Sequence, residues 1–261
     1  MSFKKAAVDF AAGGLRTSPR VADNAFNWRM FEANAQAYLF KQITAEVFAE
    51  ACGEALNSPL AVPYGHTIYK YRYLALMEQG RYYEAFLDAQ VIGTVFHDEL
   101  TQQQMLCSIY LNRNNFDRAL DVINKMLDFA RRHGLDPADL LAQRSELKTF
   151  ARGIKTFDAL DFCRLISRDP EEAKARYAGR PVRLTGQAFF ALNKETGHPF
   201  LIFNLPSEDN NTGFTHIYGQ TEQYEIPFLH GLKPDATITM LGYYLGTVDT
   251  QALFGSCHFV D

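Results

Sequence analysis

Two nine-residue stretches decide how this chain is read: MEQGRYYEA at residues 77–85 and LNRNNFDRA at residues 111–119. Their closing alanines, Ala85 and Ala119, stand 34 positions apart. In each stretch a small or polar pair (Gly80-Arg81, Asn114-Asn115) precedes an aromatic (Tyr82, Phe116), and the alanine follows three residues later. Each stretch closes one helical pattern and opens another. A period of this length points to stacked helix pairs, each burying a face that it cannot bury alone.

Helix pairs follow outward from these turns. Residues 67–79 and 82–96 form the clearest pair, and 99–112 and 116–132 the next. Upstream, apolar spacings of three and four mark one helix through Met30, Phe31, Ala35, Tyr38 and Leu39, with Asn24 or Asn27 as its cap. A second helix, capped by Thr44, runs through Val47, Phe48, Ala51 and Ala55. Downstream, Gly134 reads as a stop and Pro137 as the opening of a further helix, with residues 156–166 continuing helical. Residues 1–23 read as an N-terminal arm and 24–166 as the helical domain.

Near Ser167 the period changes. Asp169-Pro170-Glu171-Glu172 reads as a capped, acidic first turn. Val182, Leu184, Gly186, Ala188 and Phe190 then alternate with Arg183, Thr185, Gln187 and Phe189, the signature of a strand. Further strands are predicted at 200–205, 216–219, 237–245 and 253–259, with a connection at 228–232. Five strands in this arrangement predict a Greek-key barrel over residues 167–261. The fold class is α+β in two domains: an N-terminal helical array and a C-terminal five-stranded OB-type β-barrel.

Two resemblances sharpen this. The helical part resembles tetratricopeptide repeats in its period, in Ala85 and Ala119 early in the second helix, in Gly80 at the turn and in the small Cys107. It departs from that pattern at Tyr73, Ile92, Met126, His97 and Arg131. The barrel part resembles the bacterial tRNA_anti-like OB domains. That likeness rests on the acidic helix, Y-x-G-x-x-V-x-L-T-G at 177–186 and HGLKPDATITMLG at 230–242, ending in the strand with Cys257. The first resemblance implies a peptide- or protein-binding scaffold. The second implies a fold and no particular activity.

Composition excludes several classes. With 47% hydrophobic and 21% charged residues the 261-residue chain is globular. Its net charge of −4 gives no whole-chain attraction to nucleic acid or anionic membrane. Residues 169–261 hold six Lys/Arg against eleven Asp/Glu, a net of −5, whereas residues 1–168 carry +1. The four cysteines are widely separated and read as reduced, mostly buried thiols of a cytoplasmic protein. No export signal and no membrane-spanning stretch is read.

Stacked helix pairs line a concave surface with residues of their first helices. The expected partner-binding residues are Thr67, Lys70, Leu74, Met77 and Glu78, then Gln104, Ser108, Leu111 and Asn112. Leu74, Met77 and Leu111 are equally readable as core. On the barrel, Arg183, Gln187, Phe189 and Tyr243 form the nucleic-acid face, if one exists, but an acidic barrel disfavours a polyanion. Adjacent strand residues point to opposite faces, so Cys257 and His258 do not share a metal, and the barrel histidines read as isolated surface or rim residues. No catalytic motif, metal site or cofactor site is expected. The expectation is a non-enzymatic adaptor with a protein partner and the barrel as a second module. The alternatives are a single-stranded nucleic-acid binder and a regulatory subunit holding a small ligand. Partner identity and oligomeric state stay open.

Overall fold

The computed structural model describes residues 27–205, 213–233 and 236–260; the N-terminal arm lies outside them. Nine helices precede the barrel among these residues: α1 (Trp28–Leu39), α2 (Ala45–Leu56), α3 (Gly65–Glu78), α4 (Tyr82–Thr94), α5 (Glu99–Asn112), α6 (Phe116–His133), α7 (Ala138–Arg152), α8 (Ala159–Arg168) and α9 (Pro170–Tyr177). A 3-10 turn (Pro59–Tyr64) separates α2 from α3. The chain divides into two compact units, one of residues 1–112 and 121–140, the other of 113–120 and 141–261.

The starts of α3 and α5, and those of α4 and α6, are each offset by 34 residues. The small residues at the repeat positions, Ala85 and Ala119, have no exposed surface. Caps fall where short polar side chains stand. Asn27 Oδ1 accepts from the Met30 amide (3.2 Å), and Thr44 Oγ1 from Val47 (3.3 Å). The chain leaves its helices through left-handed residues: Lys41, Gly80, His97, Asn114 and Gly134 all have φ between 55° and 73°. In the first unit α3 packs against both α2 and α4, which explains why Ile68, Tyr71, Tyr73, Ala75 and Leu76 are buried around much of its circumference. Buried Asp88 on α4 is held by the Arg72 guanidinium of α3. The Tyr73 hydroxyl donates to the Met105 carbonyl (2.9 Å).

The barrel strands are β2 (Pro181–Leu192), β3 (Pro199–Asn204), β4 (His216–Thr221), β5 (Ala236–Val248) and β6 (Gln251–Val260). Their order is β2-β3-β4-β6-β5, and β5 pairs back onto β2, which closes the barrel. All contacts are antiparallel except β4 with β6. A 3-10 turn (Gln223–Glu225) and a short helix α10 (Ile226–Leu229) join β4 to β5. This closed Greek-key arrangement is the OB-type barrel.

Of residues 156–166, expected to be helical, 159–166 are helical and only 156–158 depart. Thr156–Asp158 forms strand β1, parallel to β2 through Arg183–Thr185. Its β-branched and aromatic residues suit a strand, and Asp158 then caps α8 by accepting from the Leu160 amide at 2.9 Å. Helix α8 buries Ala159, Phe162, Cys163 and Ile166 in the barrel core, beside Leu184, Leu201, Phe203, Ile217, Met240 and Phe254. Gly186 permits that approach, because a Cβ there would lie 3.0 Å from that of Ala159. The interior is filled: a Cβ on Gly219 would meet the Met240 sulfur, and one on Gly242 would lie 2.7 Å from the Cys257 sulfur. All four cysteines are buried and unpaired, and burial pushes the Cys107 and Cys163 thiols up to about 12.

Candidate functional site

The outer surface of the barrel has two unlike faces. The first is formed by β2, β5 and β6 and is closed. Arg183 on β2 donates to both Asp117 oxygens (3.1 Å each) and to the Ala151 carbonyl (2.9 Å). Leu241, its cross-strand neighbour on β5, is fully buried against Phe116, Ala151 and Ile154. Beside them the Arg113 guanidinium pairs with Glu222 and donates to Ser256 Oγ (3.3 Å). Asn115 Nδ2 donates to Glu225 Oε1 at 2.8 Å, and His258 Nε2 lies 2.8 Å from the Arg113 carbonyl. A carbonyl has no proton to give, so Nε2 carries one. The other ring nitrogen faces Glu225 Oε1 at 3.4 Å.

This cluster corrects one expectation. His258 is wholly buried rather than a rim residue, while Cys257 points the other way into the core. The alternation of strand side chains predicts that opposition, but not the partner that buries the histidine. Asn115, Glu225 and His258 are all at 1% exposure or less, and the sequence reading picked out none of them as a functional residue. The polar run in the second repeat turn is a sequence signal for Asn115 alone.

The second face is made by the end of β2 with β3, β4 and β6. The register places outward residues in three rows: Ala191, Phe200 and Gln220; then Phe189, Ile202, Tyr218 and Leu253; then Asn204, His216 and Gln251. None belongs to the barrel core, and none is Lys, Arg, Asp or Glu. Ile202 is shielded from water by its cross-strand neighbours Phe189 and Tyr218. The other aromatics of the face are half-buried, and the amides Asn204 and Gln220 are exposed. Among the described elements only strands pack closely against β3 and β4.

The four residues read from sequence as a nucleic-acid face are thus divided. Arg183 is committed to Asp117, Phe189 joins the open face, and Gln187 stands exposed on β2. Tyr243 is half-buried on β5 opposite Gly255, where burial raises its phenol. Of the other barrel aromatics, Phe203 and Tyr244 are core.

The helical candidates lie in two rows, Thr67, Lys70, Leu74, Met77 and Glu78 on α3, and Gln104, Ser108, Leu111 and Asn112 on α5. Glu78, Gln104 and Asn112 are exposed and the other six half-buried. Glu78 accepts from Lys41 Nζ (2.7 Å) and the Tyr38 hydroxyl (2.9 Å), at the lip of an open hollow walled by Ile43, Ala45 and Val47. Burial lowers the Lys70 ammonium, against the pull of Asp98. Among the described residues no His/Cys/Asp/Glu group is arranged to hold a metal, and no helix is long and apolar enough to cross a membrane.

No protein-family model and no curated protein matches the chain. A solved structure that does match is described as a candidate nucleic acid-binding lipoprotein of Klebsiella pneumoniae subsp. pneumoniae. It is 16% identical with a TM-score of 0.35, covering 43% of this chain and 97% of that one. A score this low does not define a shared fold.

Proposed function

We propose that the protein is a non-enzymatic adaptor: the α3 and α5 rows take a protein partner and the barrel's open face is a second interaction module. The observation that carries this is how the barrel spends its charge. Arg183, the cation on which polyanion binding would rest, is held by Asp117, and the face left open has no lysine or arginine. A surface that tracks a phosphate backbone needs such cations. The filled interior likewise gives no support to a small ligand held within the barrel. The 34-residue offset of two helix pairs supports the tetratricopeptide-like reading, and mixed half-exposed rows suit an extended peptide or a partner helix. Four buried, unpaired thiols support a reducing, cytoplasmic setting.

Purification of the tagged chain from its native host, with and without nuclease, tests the reading. A stoichiometric protein that survives nuclease and is lost in a Lys70→Glu, Gln104→Glu double variant is expected. Nuclease-sensitive nucleic acid with no protein partner would overturn it in favour of a single-strand binder.

A further inference from the structure

Resting on the reading of the barrel as a binding module, we infer that its open face takes an uncharged oligosaccharide, stacked on Phe200 and Tyr218 and hydrogen-bonded by Asn204, Gln220 and Gln251. Four properties of the face select this ligand. It carries no Asp, Glu, Lys or Arg, and its single imidazole is that of His216, so it offers neither the row of fixed cations a polyanion needs nor a carboxylate partner for a basic peptide. The strands beneath it are paired on both sides, so no free edge remains to which an extended peptide adds as another strand. Half-buried aromatic rings alternate with carboxamides over neighbouring strands. That mixture matches the two surfaces of a sugar: the C–H faces of the ring lie on aromatic carbon, and the hydroxyls both give and accept hydrogen bonds, as carboxamides do. Finally, outward residues on one strand repeat about every 7 Å, so the face presents successive contacts along a chain rather than one enclosing pocket. Closed five-stranded barrels bind oligosaccharides as well as oligonucleotides, and charge decides between them here.

Native gel electrophoresis of the full chain through gels containing hydroxyethylcellulose, mixed-linkage β-glucan, glycogen or galactomannan tests the inference. At least one polymer should retard the protein. Tyr218→Ala and Phe200→Ala should each raise the apparent Kd about tenfold. Tyr218→Phe should keep the retardation, which separates lost stacking from lost folding, and so should Leu245→Ala, at an exposed site off the face. Retardation by none of the four polymers, or retardation untouched by both alanine variants, overturns the inference. So does binding of oligothymidylate that depends on Tyr218, which would make the ligand a nucleic acid. A photo-crosslinker at Gln220 separates this from the broader reading. Capture of one stoichiometric protein in the native host, without polymer retardation, removes the sugar and leaves the module. Neither capture nor retardation removes both.

Discussion

The two repeat turns share a backbone and differ in what they are for. Gly80 and Asn114 are 34 residues apart and both left-handed, with φ of 73° and 60°. After them Arg81 and Asn115 each precede a helix. Arg81 offers that helix no side-chain cap; its guanidinium grips Glu84 at 2.6 Å in water. Asn115 is fully buried, and its one amide serves two ends: Oδ1 caps α6 through the Arg118 amide (3.2 Å), and Nδ2 reaches Glu225. One turn closes a helix pair. The other opens a helix and supplies a polar key within the unit that holds the barrel. A repeat thus fixes a backbone path and leaves the side chains of its turns free to take on a second task.

Substitutions can break or sharpen this contrast. The largest effect should come from Asn115→Ala, which removes a cap and leaves the buried Glu225 carboxylate without its donor. A loss of about 2–4 kcal/mol is expected in urea unfolding. Asp117→Ala strips the mostly buried Arg183 of its carboxylate and should cost about 1.5–3 kcal/mol. At the repeat's shared left-handed position, Gly80→Ala should cost about 1 kcal/mol, while Asn114→Gly should change stability by less than about 0.5 kcal/mol. A milder test uses acid and the α4–α5 turn. Burial raises the Asp98 carboxyl, but the Thr101 hydrogen bonds and His66 outweigh it and leave the carboxyl below its ordinary value. A carboxyl lowered on folding stabilises above its unfolded value of about 4, and that contribution is lost as pH falls through the folded one. Asp98→Asn should therefore flatten the acid limb of the stability profile. Smallest of all, Arg81→Ala should cost less than about 0.5 kcal/mol, because its ion pair is exposed.

Local signals were legible in the sequence. The helix offsets, the caps at Asn27 and Thr44 and the barrel strands follow from spacing and from short polar residues at element ends, within a few residues of each neighbour. What escaped depends on distance along the chain. Strand β1 is three residues long, and its pairing with Arg183–Thr185 settles its state. Arg183 reads as a free cation until Asp117, 66 positions earlier, is seen beside it. His258 reads as a rim residue because the carbonyl that buries it lies 145 positions upstream. Of the open face, Phe189 is readable from the sequence, but the register that sets Phe189, Ile202 and Tyr218 in one row needs the pairing of three strands.

The key in the second turn also has a history within a single act of synthesis. Asn115 leaves the ribosome 110 residues before Glu225. At about 5–20 residues per second that interval is roughly 5–20 s. The helix pairs ahead of it can already be complete, while this turn waits with its amide, its arginine and Asp117 in water. The polarity that makes it a good key for a buried site also keeps it soluble until the lock has been made.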